Sequence, residues 1–216
     1  MTRLLIIEDH AAIAQGLSVL LASPDISIVG IAGDAETAGG MITTLAPDLV
    51  LCDVMLGGRD AGFDLLDRHG DRSRFVMYTA FDYPAHHARA LKGGAAGYLS
   101  KLADGESIVR ALRHVAAGGQ WFPRSVLDSA RRAPRPPTDR EHQLLVLLAE
   151  GEPNEGMARI MGLRVKTIEG MIRRLFDRYG VDNRTQLARF AMRQGWLTSV
   201  DESGAPASPP REHVAD

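Results

Sequence analysis

The run from Asp48 to Asp53 constrains the fold more than any other stretch of the chain. Its interior, Leu49 to Cys52, is apolar, and Pro47 disfavours a helix immediately before it. An apolar run of this length suits a strand in the middle of a parallel sheet, where both faces are covered and polar alternation is lost. Ligands of such sheets bind beyond the carboxyl ends of the strands. We therefore predict that Asp53 lies in a functional site.

Three other strand-like runs, 3–7, 74–78 and 97–100, also end in polar side chains. The side chains that follow them are those of Glu8, Asp9, Thr79 and Lys101. If the strands are parallel neighbours, these groups converge on the sheet edge that holds Asp53. Clustered carboxylates repel one another unless a cation lies among them, and hard oxygen ligands favour Mg²⁺. Because Lys101 supplies a positive charge for an anion, the pattern predicts a phosphoryl group on Asp53.

Strand-like and helix-like runs alternate through the first 118 residues. The predicted strands cover residues 3–8, 26–31, 48–53, 74–79 and 97–100. Helices are predicted at about 11–22 and 35–46, around 65–66, from 84 to about 92, and at 104–117. Five strands alternating with five helices predict a doubly wound α/β domain with a five-stranded parallel sheet.

From residue 138 onward the periodicity is helical. The predicted helices cover about 138–150, 155–161, 165–179 and 184–194. Thr138 and Glu141 have the spacing of a capping box at the start of the first of these helices. Gly162 leaves a tight turn between the second and third helices, as in a helix-turn-helix, whose second helix enters the major groove of DNA. We therefore predict a small all-α helix-turn-helix domain.

One side of the third helix is polar and mostly basic. Its residues are Lys166, Thr167, Glu169, Gly170, Arg173, Arg174 and Arg178. Such a side can be an ordinary solvated surface, but within a helix-turn-helix it predicts contact with DNA. Residues 1–118 carry 10 basic and 14 acidic side chains, whereas residues 119–200 carry 14 basic and 9 acidic ones. An acidic module joined to a basic one suggests a regulatory or catalytic domain coupled to a nucleic-acid-binding domain.

These patterns divide the chain into four predicted segments. They are an α/β domain (1–120), a linker (121–137), a helical domain (138–197) and a tail (198–216). The proline-rich part of the linker, 133–137, should be extended and semi-stiff, and a helix is expected before it at about 124–131. The tail is rich in proline, alanine, serine and acidic residues, which predicts disorder.

Composition narrows the class of protein. A net charge of −2, with 45% hydrophobic and 24% charged residues, is ordinary for a globular protein. No apolar run approaches the ~20 residues needed to span a bilayer, and the N-terminus has no secretory signal. The single cysteine, Cys52, cannot form an internal disulfide. We therefore expect a cytoplasmic protein.

Two groups of motifs match a known pair of domains. In the first half the matching residues are Glu8-Asp9, Asp53, Thr79-Ala80 and Gly97-Tyr98-Leu99-Ser100-Lys101. In the second half they are Thr138-Asp139-Arg140-Glu141, Leu148-Ala149-Glu150-Gly151, Ala158, Gly162, Lys166-Thr167-Ile168-Glu169 and Tyr179-Gly180-Val181-Asp182-Asn183-Arg184. The first group resembles a two-component receiver domain. The second resembles the LuxR-type helix-turn-helix of the NarL/FixJ class of response regulators.

The resemblance implies a chemistry for the first domain. Asp53 would be the nucleophile that accepts a phosphoryl group from the phosphohistidine of a sensor histidine kinase. The implied ligands of Mg²⁺ are Glu8, Asp9, Asp53 and the backbone carbonyl of Met55. The metal and Lys101 would neutralise charge on the transferred group.

The resemblance also implies how the signal leaves the site. The phosphoryl group adds about −1.5 to −2 charges, and the hydroxyl of Thr79 would turn toward one of its oxygens. Tyr98 would rotate into the vacated space and change the outer face of the last strand and its flanking helices. The DNA-binding domain would then be released or would form a homodimer on promoter DNA.

The chain departs from the family pattern at several positions. Gly57 stands where the family usually has proline, and the interval from Asp53 to Gly62 is one residue longer than usual. These differences predict a looser loop beside the metal site. In the second domain Arg164 stands where the family prefers a serine cap, and the loss of a cap costs about 0.5–2 kcal/mol.

Two other functions are open at this point. One is a DNA-binding regulator that works without phosphorylation and keeps the first domain only as a scaffold for dimerisation. The other is a Mg²⁺-dependent phosphatase of the haloacid dehalogenase type, which usually has a second acid where this chain has Met55. The histidines do not suggest a metal site, because His86 and His87 would point to different sides of a helix and are expected on the surface.

Overall fold

The computed structural model describes residues 1–197, which fall into two compact units, residues 1–132 and residues 133–197. The tail predicted to be disordered lies outside the described residues. Among the described residues, no helix combines the length and the hydropathy that crossing a membrane requires.

The first unit is a parallel sheet with helices on both faces, as predicted. Its elements in chain order are β1 (Thr2–Ile7), α1 (Ala11–Leu20), β2 (Ile26–Ala32), α2 (Ala35–Leu45), β3 (Leu49–Asp53), α3 (Ala61–His69), β4 (Arg74–Thr79), α4 (Pro84–Lys92), β5 (Gly97–Ser100), α5 (Gly105–Ala116) and α6 (Arg124–Arg132). The strand order is β2-β1-β3-β4-β5, and every pairing is parallel. The doubly wound α/β fold is therefore confirmed.

Hydrophobic side chains cover both faces of the sheet. On one face the strands pack against α2, α3, α4 and α6, and on the other they pack against α1 and α5. The central strand β3 is buried along its whole length, from Leu49 to Asp53. Burial on both faces explains why this strand has no polar alternation. The strand ends with Asp53 at the carboxyl edge of the sheet, where only 2% of the surface of Asp53 is exposed.

The loop after β3 contains a tight turn. Gly57 and Gly58 have φ angles of 59° and 73°, values that suit a two-residue turn with both central residues left-handed. Leu56 and Arg59 exchange backbone hydrogen bonds across this turn, at 2.9 and 3.3 Å. The expectation of a looser loop is therefore wrong. The two glycines form a hydrogen-bonded turn, which takes up the additional residue between Asp53 and Gly62.

The first turn of α4 corrects the prediction for the two adjacent histidines. His86 and His87 are each only 2% exposed. The ring of His86 contacts Phe63 of α3 edge-on at 5.5 Å, and the ring of His87 contacts Tyr98 of β5 at 4.8 Å. The two rings do point to different sides of the helix, but neighbouring elements cover both sides. Neither histidine is a surface residue.

The second unit contains helices only. They are α7 (Asp139–Ala149), α8 (Asn154–Met161), α9 (Val165–Tyr179) and α10 (Arg184–Gln194). The capping box at the start of α7 is present, with Thr138 and Glu141 each bonded to the backbone N–H of the other. Gly162 ends α8 in a left-handed conformation. The α8–turn–α9 arrangement is the predicted helix-turn-helix.

The helix expected at about 124–131, in the stretch predicted as linker, is present as α6. It packs against α4 of the first unit, and Val126 is 4% exposed in that packing. Residue 133 begins the second unit.

Gly62 is held so close to β3 that a methyl group cannot be added. A Cβ at this position would lie 2.1 Å from the backbone carbonyl oxygen of Asp53. We predict that Gly62→Ala lowers the free energy of unfolding by about 1–3 kcal/mol or more, because the backbone beside Asp53 must move. Urea denaturation measures this loss.

Gly40→Ala is the matched control. A Cβ at Gly40, on the exposed side of α2, meets nothing within 4 Å, so alanine should stabilise the helix by up to about 1 kcal/mol. Equal effects of the two substitutions would contradict the close approach at Gly62.

Candidate functional site

Register places the predicted site residues at one edge of the sheet. β1 and β3 are paired neighbours, with Ile7 opposite Cys52, so the residues that follow them emerge side by side. On the other side of β3, Asp53 lies opposite Tyr78 of β4. The backbone N–H of Lys101 donates to the carbonyl of Thr79 at 2.7 Å, which holds the end of β5 against the end of β4.

A lysine ammonium group joins two buried carboxylates at this edge. Nζ of Lys101 lies 2.6 Å from Oε2 of Glu8 and 2.7 Å from Oδ2 of Asp53. The side chains of Glu8 and Asp53 are only 1% and 3% exposed. Buried charges are costly unless they are paired. Lys101 therefore compensates two carboxylates that would otherwise repel each other in the protein interior.

Burial shifts the pKa of Asp53. Burial raises its pKa to about 6, against the lowering effect of Lys101 and of the hydrogen bond from the Met55 N–H to Oδ1 at 3.0 Å. For Lys101, burial alone would lower the pKa, but the adjacent Asp53 and Glu8 raise it overall. The lysine thus stays protonated at neutral pH, and Asp53 is still mostly ionised there.

The site has the donors that a divalent cation requires. Glu8, Asp9, His10 and Asp53 each offer one atom, and these atoms lie within 4.8 Å of one another. Asp9 is fixed by the backbone N–H of Gly57, which donates to its Oδ2 at 2.9 Å. Three carboxylates suit Mg²⁺, which prefers oxygen ligands. Met55 was predicted to contribute its backbone carbonyl. The residue lies beside the cluster, because its backbone N–H donates to Oδ1 of Asp53.

His10 is a member of this cluster that sequence reasoning missed. Its Nδ1 lies 2.7 Å from Oδ1 of Asp9 and 3.2 Å from Oε1 of Glu8, and its side chain is 60% exposed. The signal was its position directly after the acidic pair, at the N-terminus of α1. The imidazole forms part of the rim of the site, where its Nδ1 is hydrogen-bonded to Oε1 of Glu8.

Thr79 and Tyr98 meet at one residue of the β4–α4 loop. The hydroxyl of Thr79 accepts the backbone N–H of Phe81 at 3.1 Å, and the hydroxyl of Tyr98 donates to the carbonyl of Phe81 at 3.2 Å. Both side chains are buried. Burial raises the pKa of Tyr98, which keeps its hydroxyl protonated as a donor. Phe81 therefore connects the two side chains that were predicted to move together.

The polar side of α9 is exposed for most of its length. Lys166, Thr167, Glu169, Arg173 and Arg174 are all exposed. None of the charged members among them pairs with an oppositely charged side chain in the part of the chain that the structure describes. The opposite side of α9 is buried through Ile168, Met171, Ile172, Leu175 and Tyr179. At the N-cap, the Arg164 side chain makes no capping hydrogen bond to the described residues, as expected.

Arg178 differs from the other basic residues of α9. Its guanidinium nitrogens lie 2.9 Å from both carboxylate oxygens of Glu141, and its side chain is 29% exposed. The pair lowers the pKa of Glu141 to about 2. The same carboxylate accepts the N–H of Thr138 at 2.9 Å in the capping box. Arg178 thus connects α9 to the start of α7, and its predicted contact with DNA would require it to leave this pair.

Comparisons with known proteins agree with this geometry. Residues 4–113 match the family described as "Response regulator receiver domain", and residues 137–191 match "Bacterial regulatory proteins, luxR family". The chain is 30% identical over 200 residues to the nitrate/nitrite response regulator protein NarL of Escherichia coli (strain K12), a match that covers 86% of this chain and 92% of NarL. It is 33% identical over 210 residues to the DNA-binding transcriptional activator DevR/DosR of Mycobacterium tuberculosis, covering 88% and 94% of the two chains.

Among solved structures, the RcsB response regulator of Salmonella typhimurium superposes with a TM-score of 0.64 at 20% identity. The superposition covers 89% of this chain and all of that one. At this identity the likeness concerns the fold, and it extends over both domains.

The raised pKa of Asp53 predicts that its ionised carboxylate destabilises the metal-free fold. The folded pKa of about 6 exceeds the unfolded value of 3.8, so the cost is absent below pH 4, grows between pH 4 and 6, and is complete above it. Asp53→Asn should therefore raise the free energy of unfolding at pH 7, by on the order of 1–3 kcal/mol. Urea denaturation in the presence of a chelator measures the gain.

The difference between the variant and the wild type should shrink as the pH falls from 6 to 4. A variant that is less stable at pH 7, or a gain that does not change with pH, would show that burial does not dominate the energetics of Asp53.

Proposed function

Since the chain belongs to the two-component response regulators that join a receiver domain to a LuxR-family DNA-binding domain, we propose that Asp53 accepts a phosphoryl group from a sensor histidine kinase. The observation that carries this proposal is the contact of Lys101 with both Asp53 and Glu8, at 2.7 and 2.6 Å. It prepares a positive charge where an incoming phosphoryl group needs one. The family is one of transcription regulators rather than of classical enzymes.

In the proposed transfer, a carboxylate oxygen of Asp53 attacks the phosphorus of a phosphohistidine. The new O–P bond forms as the P–N bond breaks, and the imidazole of the kinase leaves. Asp53 is mostly ionised at neutral pH and is oriented by the Met55 N–H, so little reorganisation is needed. Lys101 can follow the charge from the carboxylate to the phosphoryl oxygens, where it stabilises the transition state.

Mg²⁺ fits the acidic cluster. The proposed ligands are Glu8, Asp9, Asp53 and the backbone carbonyl of Met55. When bound, the metal supplies positive charge that offsets the negative charge of the carboxylates and of the incoming phosphoryl group. His10 borders this site, and its Nδ1 can hold Glu8 in place through their hydrogen bond.

The response to phosphorylation is proposed to pass through Thr79 and Tyr98. A phosphoryl group on Asp53 offers the Thr79 hydroxyl a stronger acceptor than the neutral groups around it. If Thr79 turns away from the Phe81 N–H, the loop loses one of its two anchors, and the Tyr98 hydroxyl bond to the same residue is strained. The consequence is a changed β5 surface, homodimer formation and promoter binding in the cytoplasm.

The DNA-binding side is proposed to be the exposed side of α9. Lys166, Thr167, Arg173 and Arg174 would bind phosphates or base edges, while the Glu169 carboxylate can accept only from a donor such as cytosine N4. Arg178 was predicted to belong to this set. Its pairing with Glu141 supports a mainly structural role instead, in which it holds α9 against α7.

The phosphoacceptor is tested by incubating the full chain with acetyl phosphate and MgCl₂ and measuring intact mass. Wild type should gain one acid-labile phosphoryl group, and Asp53→Asn should gain none. Asp60→Asn is the matched control, because Asp60 lies in the same loop outside the carboxylate cluster, and it should be phosphorylated like wild type. Lys101→Ala should slow uptake by about 100-fold or more, because it removes the charge that faces the phosphoryl group.

Uptake in Asp53→Asn at the wild-type level would place the acceptor elsewhere. Omitting Mg²⁺ should abolish uptake by wild type, and undiminished uptake in a chelator would remove the metal from the proposal.

The division of roles on α9 predicts two different phenotypes. Arg173→Ala and Arg174→Ala should weaken binding to a fluorescent DNA duplex without changing the melting temperature of the protein. The slope of log affinity against log salt concentration should fall by about one unit for each DNA phosphate that is no longer neutralised. Arg178→Ala should instead lower the free energy of unfolding by about 0.5–1 kcal/mol, because it breaks the pair with Glu141. Fluorescence anisotropy and thermal denaturation measure the two effects. If Arg178→Ala leaves stability unchanged and reduces the salt slope, its structural role is wrong.

A further inference from the structure

Lys101 and Asp53 come from strands that are not neighbours. Lys101 follows β5, Asp53 ends β3, and β4 lies between the two strands. Adjacent strands are about 4.8 Å apart, so the two side chains together bridge roughly 10 Å across the sheet. Nζ of Lys101 nevertheless lies 2.7 Å from Oδ2 of Asp53. The lysine side chain therefore passes over the end of β4.

The residue of β4 on this path is Tyr78. It lies directly opposite Asp53 in the pairing of β3 with β4, and residues that are opposite each other in paired parallel strands carry their side chains on the same face of the sheet. The packing agrees with this placement. Tyr78 and Leu51, which lies two residues before Asp53 on β3, belong to the same hydrophobic cluster on the side of α1 and α5. Tyr78 and Asp53 therefore share one face of the sheet.

The ammonium group of Lys101 lies over the ring of Tyr78. Nζ is 5.6 Å from the ring centroid, within the ~6 Å at which the face of an aromatic ring attracts a cation. Tyr78 is 5% exposed, and the side chain of Lys101 is 12% exposed. Such a contact is stronger when water is excluded from it. Lys101 thus has three partners, which are two carboxylates and one aromatic ring.

The ring differs from the two carboxylates in how the proposed transfer affects it. Glu8 and Asp53 are also the proposed ligands of Mg²⁺, and Asp53 forms the new O–P bond. Their attraction for the ammonium group falls when their charge is shared with a metal or used in that bond. The ring is neutral, so its attraction does not depend on these steps, and it does not repel the phosphoryl group as a third carboxylate would. It is the one partner of Lys101 that the reaction leaves unchanged.

We propose that Tyr78 is a positioning residue for the phosphorylation of Asp53, and that its ring holds the ammonium group of Lys101 where the phosphoryl group arrives. This inference rests on the proposed function of Asp53. It has two parts, which are tested separately. The contact between the ring and the ammonium group is a property of the unphosphorylated chain, and its effect on the rate of phosphoryl transfer is a property of the reaction.

The first test is NMR of the full chain with ¹³C-labelled lysine. The chain has three lysines, and the other two, Lys92 and Lys166, are exposed. The ring current of Tyr78 should shift the Hε signal of Lys101 upfield of the other two, and Lys101→Arg identifies this signal by removing it. Tyr78→Phe keeps a ring and should keep the shift, whereas Tyr78→Leu should lose it. A Lys101 signal at the same position in wild type and in Tyr78→Leu would overturn the contact.

The second test follows phosphoryl uptake from acetyl phosphate and MgCl₂ over time by intact mass. Tyr78→Leu should slow uptake by about threefold to tenfold, the effect expected for the loss of one partly buried cation–π contact. Tyr78→Phe should restore most of the wild-type rate, because the ring makes the contact. Absence of uptake by wild type would overturn the proposed function. Uptake by Tyr78→Leu at the wild-type rate, or equal slowing of the two variants, would overturn the role of the ring and leave the proposed function intact.

Val76→Ala is the matched control. Val76 lies two residues before Tyr78 on β4, is fully buried in the same hydrophobic cluster, and is opposite Leu51, away from the carboxyl edge. Its truncation disturbs the packing of the same face of β4, so it should lower the melting temperature but leave the uptake rate and the Lys101 signal unchanged. Equal slowing by Val76→Ala and Tyr78→Leu would show that Tyr78 acts only through the packing of β4.

Discussion

The first domain depends on the compensation of two buried carboxylates by one ammonium group. Glu8 and Asp53 are brought together because β1 and β3 are adjacent and parallel, and the fold cannot separate them without breaking the centre of the sheet. Lys101 follows β5, which lies two strands from β3 in the sheet order. Its positive charge offsets the repulsion between the two carboxylates. The order of the strands thus determines which charged groups meet at the site.

The same constraint makes the site receptive to a cation. Asp53 is less stable as an anion than an exposed aspartate would be, as its raised pKa shows, and any group that adds positive charge nearby relieves that cost. Burial of the ionised carboxylate lowers the stability of the folded protein, and a cation that binds there reduces this cost and so stabilises the fold. Asp53 lies at the end of β3 and Glu8 directly follows β1, so these two carboxylates are in place before a cation binds.

Much of this could be predicted from the sequence, because strand interiors and strand ends leave strong local signals. The apolar run before Asp53 indicated a central strand, and the polar residues after the other strands indicated a shared edge. What could not be predicted depends on packing between distant elements. His86 and His87 are buried because α3 and β5 cover α4, and no local pattern reveals that cover.

The other differences have similar causes. The sequence shows glycines at positions 57 and 58, but it does not reveal the hydrogen bonds that Leu56 and Arg59 exchange across them. Arg178 was predicted to contact DNA together with the other arginines of α9, and its pairing with Glu141 was not visible in the sequence. Contacts of this kind depend on which side chains the fold brings together, and local sequence does not reveal them.

The pairing of Trp121 with β5 also determines where the first domain ends. Without residues 119–132, β5 would present a row of unpaired backbone groups, and such edges associate with the edges of other molecules. A fragment cut at residue 118, where the last helix of the repeating pattern stops, would therefore be prone to aggregation. Its helix α4 would also lose the packing of α6. The autonomous folding unit is longer than the alternating pattern of strands and helices, because it includes the stretch that closes its edge.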